Sequence, residues 1–547
     1  MIGSEIIETL QEEYIRLQES YQVVKYSFAG LRLTRWQLTK LLLAQIWRES
    51  PNVAIGLGVV ATLLFAWIIS ALFFRQRSLA SLGIPFVGKS KGRKMDFQQM
   101  MEEAAKKHPN KPFGIRAFGT DYVVYPSAQF DEIKRLPESR ASSLEYLREA
   151  FHATWSGIPR HSDEMMKAVS VDLARAIPSL VHQRQQDCAT SCDAAIGPSA
   201  DWKEVTLYSA SQSIVVSTNS SAFVGRDLGT SKKWISQVDR LPMAVAIPSI
   251  LISLLPAVAR PLLKPLLFAP AIYTRSKLSS LLKPVLKEDI NEYESSVKDR
   301  RAFVDPQEKG KVALTSWLLR RYPSGLTNTI GRLLEDYINI SFESTTSTAG
   351  TLFYIMTELA ADPELSDTLR DEIKQIAPDG RLPLTHLNEL KKMDSVMRES
   401  SRVNPFSHII LWRRVMQPLQ LSVGPELPAG TNICVDAHHI NFSPDLWENP
   451  EKFDGLRHYR ARQKPGNEQR FKFANLGSDA PGWGDGPQAC PGRMFADNTL
   501  KIILAHILMN YDFKYRPGED KPKKGSMPNG SMYPAMGAKL LFRSRKP

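Results

Sequence analysis

The chain has 547 residues, 43% apolar and 23% charged, an ordinary globular composition that excludes a disordered, collagen-like or disulfide-stapled chain. Lys and Arg outnumber Asp and Glu by 70 to 57, a formal charge of +13; such a surplus suits an anionic membrane surface, an acidic protein partner or nucleic acid. Four cysteines are too few for a disulfide framework and point to a reducing compartment for the bulk of the chain.

Residues 1–52 are expected to form an N-terminal extension. Within it, residues 31–47 mix Leu and Trp with spaced bases, a pattern that suits either a helix lying along a membrane interface or a short solvated helix. From Val53 to Phe74 there are 22 residues without a charge, enough to cross a hydrocarbon core of about 30 Å. Six bases and no acid follow between Arg75 and Lys94, against three bases and one acid in the twenty residues before the run. The positive-inside bias therefore puts the C-terminal bulk in the cytosol. Gly56-Leu57-Gly58-Val59-Val60-Ala61 has the form of a dinucleotide fingerprint, but it lies inside this apolar run and lacks the surrounding strand-helix-strand unit such a site needs. Residues 75–95 read as a basic, Pro/Gly-containing hinge, and 96–547 as one domain without repeats or linkers.

That domain is predicted to be mainly α with small β-sheets, an α+β class. Its apolar stretch from Leu241 to Tyr273 holds six prolines, which predict short helical pieces rather than one straight helix; these either dip into a membrane face or pack in the core. Residues Thr327 to Ala361 form the longest helical pattern, ended at Pro363. Short strands are predicted around Leu419–Val423 and Ile433–Val435.

The strongest chemical signal is Trp483-Gly484-Asp485-Gly486-Pro487-Gln488-Ala489-Cys490-Pro491-Gly492-Arg493. Glycines let the backbone turn tightly against a flat cofactor, and an apolar helical pattern starts directly after the cysteine. Unpaired N–H groups at a helix N-terminus stabilise a thiolate there. In this loop the chain resembles the cytochrome P-450 haem-thiolate family, whose pattern is aromatic-x-x-Gly-x-basic-x-Cys-x-Gly. Trp483, Gly486, Cys490 and Gly492 match, with Trp in place of the usual Phe and Gln488 in place of the basic residue that helps hold a haem propionate; Arg493 follows. The resemblance implies haem b with Cys490 as the axial thiolate, which favours O–O cleavage. It also implies a P-450 fold with the haem between a long central helix and the cysteine loop.

Two further segments carry the resemblance. Glu399-Ser400-Ser401-Arg402 has the Glu-x-x-Arg form, with acid and base on one helix face. The Pro450-Glu451-Lys452-Phe453 segment leads to Arg457, whose planar fork suits Glu399. The resemblance makes Glu399, Arg402 and Arg457 a structural triad behind the cysteine loop. In the long helix, Phe342-Glu343-Ser344-Thr345-Thr346-Ser347-Thr348 aligns loosely with the family's Ala/Gly-Gly-x-acid-Thr. Ser347 falls on the Thr and Thr346 on the acid. Glu343, four residues before Ser347 on the same face, is a candidate to replace the missing acid. Ser347, Thr348 and Glu343 are thus the candidate proton-handling residues, although a hydroxyl-rich segment also serves as a plain kink device.

The flanking Asn404-Pro405-Phe406, Leu427-Pro428-Ala429-Gly430-Thr431 and Phe223-Val224-Gly225 resemble fungal members near the ent-kaurene oxidase group. That implies a membrane-anchored monooxygenase of the endoplasmic reticulum acting with O2 on a lipophilic substrate, a terpenoid or other secondary-metabolite intermediate. Electrons would come from an NADPH-cytochrome reductase, because no flavin or nicotinamide site is left in the chain. The alternatives are a reductase-independent rearrangement or dehydration on the same fold, or a haem-binding membrane protein that does not oxidise. Cys188 and Cys192 lack partners at zinc spacing and read as free thiols; His438-His439 reads as a strand-edge or surface pair. Asn219-Ser220-Ser221 and Asn339-Ile340-Ser341 are sequons that a cytosolic domain leaves unused. The bases form no aromatic-interleaved stripe of the nucleic-acid kind, and nothing in the pattern specifies an oligomer.

Overall fold

The computed structural model describes residues 79–87, 97–117, 120–255, 259–298, 311–324, 326–527 and 530–545. The expected transmembrane run at 53–74, the extension before it and most of the hinge lie outside the described residues. The architecture that follows is that of the unit formed by Leu79–Leu254 and Leu263–Pro547.

Its principal helices in chain order are α1 (Phe97–Lys107), α2 (Ser143–Ala150), α3 (Ala174–Ala195), α4 (Leu207–Val224), α5 (Lys232–Leu254), α6 (Ala269–Lys298), α7 (Thr329–Glu343), α8 (Thr346–Ala361), α9 (Pro363–Ile376), α10 (Lys391–Val403) and α11 (Arg493–Asn510). The strands are β1 (Phe113–Ala117), β2 (Thr120–Tyr125), β3 (Ala141–Ser142), β4 (Lys203–Thr206), β5 (Ile409–Val415), β6 (Asn432–Asp436), β7 (Tyr511–Lys514), β8 (Gly525–Ser526), β9 (Met532–Tyr533) and β10 (Lys539–Ser544). Helix α4 is buried along nearly all its length and packs against α3, α8 and α11. It is the hub around which the elements of the candidate site are arranged.

The largest sheet runs β1-β2-β6-β5-β3. Among these strands only β2 and β6 pair in parallel, with Val123 opposite Ile433. One face packs Val123, Tyr125, Leu411, Val415 and Val435 into a core. The other covers Phe113, Ile115, Val124 and Cys434 with Phe97, Met101 and Ala104 of α1. The strand predicted around Ile433–Val435 is β6. Around Leu419–Val423 there is only a bridge between Leu419 and Leu427, because the chain reverses at Gly424, where φ is +88°, too soon for a ladder to extend.

The long helical pattern 327–361 is divided into α7 and α8, with Ser344 and Thr345 between them. Asp362 then caps α9, accepting from Leu365 N at 2.9 Å, and Pro363 takes the first helical position, where a missing N–H costs nothing. The proline-rich stretch 241–273 is divided among separate helices: α5 ends at Leu254, a short helix spans Arg260–Leu267 and α6 begins at Ala269; the correction concerns α5 alone, a 23-residue helix that runs through Pro242 and Pro248. Each interior proline costs about 3 kcal/mol, but Trp234, Val238, Leu241, Val245 and Ile252 are buried along one face, at about 1.5–3 kcal/mol each, and that burial wins.

The expected hinge also needs revision. Leu79 and Ile84 are buried, Val87 N bonds the Gly114 carbonyl at 2.9 Å, and Phe86 bridges to Gly114, so residues 79–87 belong to the domain. His438 is not on the surface either. It is buried in a short helix, Ala437–Phe442, with its Nδ1 3.2 Å from His408 Nδ1 and its Nε2 3.3 Å from Glu102.

Candidate active site

Cys490 lies two residues before the N-cap of α11, Gly492. Its own N–H donates to the Trp483 carbonyl at 2.8 Å, closing the loop. Trp483 is in turn fixed by its indole N–H on the Phe473 carbonyl at 2.7 Å and by an edge-on contact with the Phe473 ring. Burial pushes the Cys490 thiol up to about 11, opposed by the N–H groups of Gly492 and Arg493 and by the charge of Arg493. These two N–H groups are the donors expected at a helix start, and they favour the anionic sulfur once a metal neutralises it. The Arg493 guanidinium folds back onto the Cys490 carbonyl at 3.0 Å.

Gly486 is required by both backbone and space: its φ is +68°, and a Cβ there would meet the Lys134 carbonyl oxygen at 2.1 Å. Lys134 also holds Asp485 at 3.0 Å, so the loop is stitched to the segment before β3. At Gly492 an added Cβ would find Val169 as its nearest neighbour, at 3.9 Å, so no protein packing demands a glycine there. Gln488 serves the protein alone. Its Oε1 accepts from Ser143 N at 2.7 Å, and its Nε2 donates to the carbonyls of Leu136 and Ala141 at 3.0 and 2.9 Å.

The charge that Gln488 does not supply is found on β5. Arg413 is buried, and its Nε and Nη2 have no hydrogen-bond partner among the described residues; only Nη1 is used, on the Trp412 carbonyl. Burial lowers this guanidinium to about 10. A buried, half-satisfied guanidinium costs several kcal/mol and fits an anionic group of a cofactor, such as a propionate. β5 alternates buried and half-buried residues, with Arg413 at a buried position just after a shift in the pairing register between Ile410 and Arg413.

The structure brings Glu399, Arg402 and Arg457 together. Arg402 forms a bidentate pair with Glu399 at 3.0 and 2.8 Å, and Arg457 Nε reaches Glu399 at 3.0 Å. Arg402 also donates to the carbonyls of Asn441 and Pro450, tying α10 to the meander that leads to the cysteine loop. Burial alone would raise Glu399, but the His458 ring, whose Nε2 lies 3.2 Å away, and the bidentate, charged Arg402 override it and hold the carboxyl at about 2.

In the central helix, the Thr345 hydroxyl bonds back to the carbonyls of Ser341 and Phe342, while Ser347 is exposed and Thr348 buried. Thr346, at the place of the missing acid, has a buried hydroxyl without a partner among the described residues. Glu343 ends α7 and is bonded not to Ser347 but to the buried His161, at 2.7 Å. Burial works against a charged His161, yet the Glu343 contact outweighs it and raises the imidazole above its ordinary value. The same segment is seated along α7 by Ser162, which donates to Asp336 at 2.7 and 2.6 Å. Sequence reasoning missed His161; nothing local distinguishes it.

Cys188 and Cys192 are buried thiols, and among the described residues no cluster of three metal-ligating side chains occurs. Both sequon asparagines, Asn219 and Asn339, are buried.

Comparison with known proteins agrees with this geometry. The cytochrome P-450 family model matches residues 252–542, just over half of the chain. A relative from Pyricularia oryzae, described as cytochrome P-450 monooxygenase CYP1, is 54% identical over 527 residues, covering 96% of each chain. One from Pyricularia grisea, described as pyrichalasin C-18 hydroxylase, is 40% identical over 97% of this chain and 98% of its own. The solved structure of a retinoic acid-bound cyanobacterial CYP120A1 superposes with a TM-score of 0.60 at 16% identity, covering 81% of this chain and 94% of that one, a likeness of fold. The chain therefore belongs to the cytochrome P-450 family and is a monooxygenase of it, with haem b held through an axial cysteine thiolate as its cofactor.

Proposed function

We propose that Cys490 is the axial thiolate and that the chain, anchored in the endoplasmic reticulum membrane with its catalytic domain cytosolic, hydroxylates a lipophilic secondary metabolite using electrons from an NADPH-cytochrome reductase. One atom of O2 enters the substrate; the other leaves as water with two electrons and two protons. The observation that carries this is Cys490 at the start of α11, braced by Trp483, Gly486 and the Glu399–Arg402–Arg457 triad, with a buried Arg413 whose Nε and Nη2 have no partner among the described residues and are available to an anionic group.

The haem supplies oxygen activation and electron transfer. The protein's share is to position substrate, exclude water and deliver protons. Ser347 and Thr348, at the start of α8, are the proton-handling residues, with Glu343 as the nearby carboxylate in place of the usual acid. Arg413 and Arg493 are the cationic groups for the cofactor side chains, with Trp483, Gly486 and Gly492 shaping the loop.

Two features support the membrane. The apolar run 53–74 is long enough to span, and α5 is apolar enough by length and composition to do so; Met243, Ile247, Leu251 and Leu254 are exposed along it, spaced as one helical stripe. For the substrate, the relative named for hydroxylating pyrichalasin at C-18 makes a compound of that kind the first candidate, ahead of a terpenoid.

The deciding experiment is turnover of membranes containing the full chain, with reductase and NADPH, under isotopically labelled dioxygen. Pyrichalasin-type and terpenoid precursors are offered in parallel. One labelled oxygen atom per product, dependent on both reductase and NADPH, is the expected result. A product formed equally well without them, and without label, would establish rearrangement or dehydration instead.

A further inference from the structure

A buried polar cluster against the central helix has no part in the chemistry so far described. Asn219, in α4, donates from Nδ2 to the Ser344 carbonyl at 2.8 Å. Ser344 is one of the two residues separating α7 from α8, so this bond falls at the interruption itself. The other end of the same amide is equally fixed: Asn219 Oδ1 accepts from Arg184 Nη2 of α3 at 2.9 Å and lies 2.9 Å from the Thr499 hydroxyl of α11.

Arg184 is 1% exposed. Its Nη1 donates to Asn498 Oδ1 at 2.5 Å, Nη2 also contacts the Thr499 hydroxyl, and the guanidinium lies over the Phe495 ring, 4.0 Å from its centre. Its neighbour Asp187 is taken by Arg226 and Ser221. All the hydrogen-bond acceptors of Arg184 are therefore neutral, and burial lowers it to about 9. A buried cation served only by amide, hydroxyl and ring is costly. The arrangement is over-built for packing alone, since an apolar side chain of similar volume would stabilise at least as well.

We propose that Asn219 is a positioning residue that holds the break in the central helix open, and that Arg184 and Thr499 lock its amide to the helix that begins beside Cys490. The break is where an α-helix otherwise closes its carbonyls onto the N–H groups four residues on. A side-chain donor at Ser344 stabilises the interrupted form, and with it the position of Thr346, Ser347 and Thr348 at the start of α8. Because Asn219 is oriented from α11, the loop that carries the cysteine and the segment that handles protons are set by one network. This deepens the proposed function and rests on its assignment of Ser347 and Thr348 to proton handling.

Asn219→Asp separates the two halves of the network. The carboxylate keeps an acceptor for Arg184 and neutralises it, so folding and haem binding are retained. It stays ionised beside that guanidinium and so presents no donor to the Ser344 carbonyl. The holoprotein is expected to keep its full carbon monoxide band and to unfold in one cooperative transition. After reduction with dithionite it should reoxidise in air about fivefold to tenfold faster than the unsubstituted protein, the size of one buried hydrogen bond. With reductase and NADPH, the ratio of peroxide to product should rise by a similar factor. Asn219→Ala, which removes donor and acceptor, should show the same rates and in addition bind less haem, and it decides the matter if the Asp variant does not fold.

Reoxidation and peroxide ratios unchanged in both variants would overturn the proposal. Ser347→Ala run alongside keeps the two claims apart. If it uncouples turnover while the Asn219 variants do not, the clamp is wrong and the proton assignment stands; if the Asn219 variants uncouple and it does not, the clamp stands and Ser347 loses its role.

Discussion

Arg413 and Gln488 show how a single position redistributes a duty within a site. The glutamine is wholly engaged by backbone groups around β3, so its amide has no donor left for a cofactor, and Arg413 on β5, with Nε and Nη2 free of partners among the described residues, is the proposed substitute. Replacing Arg413 by Gln removes a charge-assisted partner worth about 1.5–3 kcal/mol. Transfer of haem to apomyoglobin should then become about tenfold faster or more; an unchanged transfer rate would remove Arg413 from the site. Gly486 is constrained differently. Ala at that position would combine a left-handed backbone with the close approach to Lys134, and thermal melting should show a loss of about 1–3 kcal/mol, with less haem bound per chain. A neutral Gly486→Ala would mean that the loop does not hold this turn.

At the level of elements, the Glu399 triad joins α10 to the chain that leads into the cysteine loop, and it makes a pH-dependent contribution. The folded value of about 2 lies below the ordinary 4.5, so the stabilisation is present above about pH 4.5 and is lost as pH falls toward 2; it is on the order of 3 kcal/mol. Acid unfolding of the unsubstituted protein should show this loss, and Glu399→Gln should flatten it while costing about 3–5 kcal/mol at neutral pH, because Arg402 and Arg457 are left with an uncharged partner. Identical acid profiles for the two proteins would contradict the assignment.

The same elements show what is legible in the sequence. Glu399, Arg402 and Cys490 announce themselves because each motif is local, its spacing set by one helix turn or one loop. Arg413 is not readable in the same way, because its burial shows only once β5 is known to be a strand and the pairing register shifts just before it. A count of prolines misreads α5, because it says nothing of the buried face that holds the helix together. His161 with Glu343, Asn219 with Ser344 and Arg184 with Asn498 pair over 182, 125 and 314 residues, and no local pattern encodes such contacts. The hydroxyl-rich segment reads as a kink device in the central helix, but nothing local names the side chain that donates to the Ser344 carbonyl.

For the whole molecule, the proposed membrane attachment rests on the basic surplus and the apolar run 53–74 of the sequence and on the exposed stripe on α5. Ile247→Glu with Leu251→Glu should weaken association of the full chain with anionic vesicles and raise KM for a lipophilic substrate more than it lowers kcat, since the stripe lies away from Cys490 in the sequence and carries no catalytic group. Unchanged vesicle binding would show that the stripe faces water or another protein. The site itself depends on one bond between sulfur and iron, and the most direct measurement is the carbon monoxide difference spectrum of the reduced full-length protein beside Cys490→Ser. Thiolate ligation by Cys490 predicts a Soret band at about 450 nm in the first and its loss in the second with the fold retained; a band that survives the substitution would contradict the account.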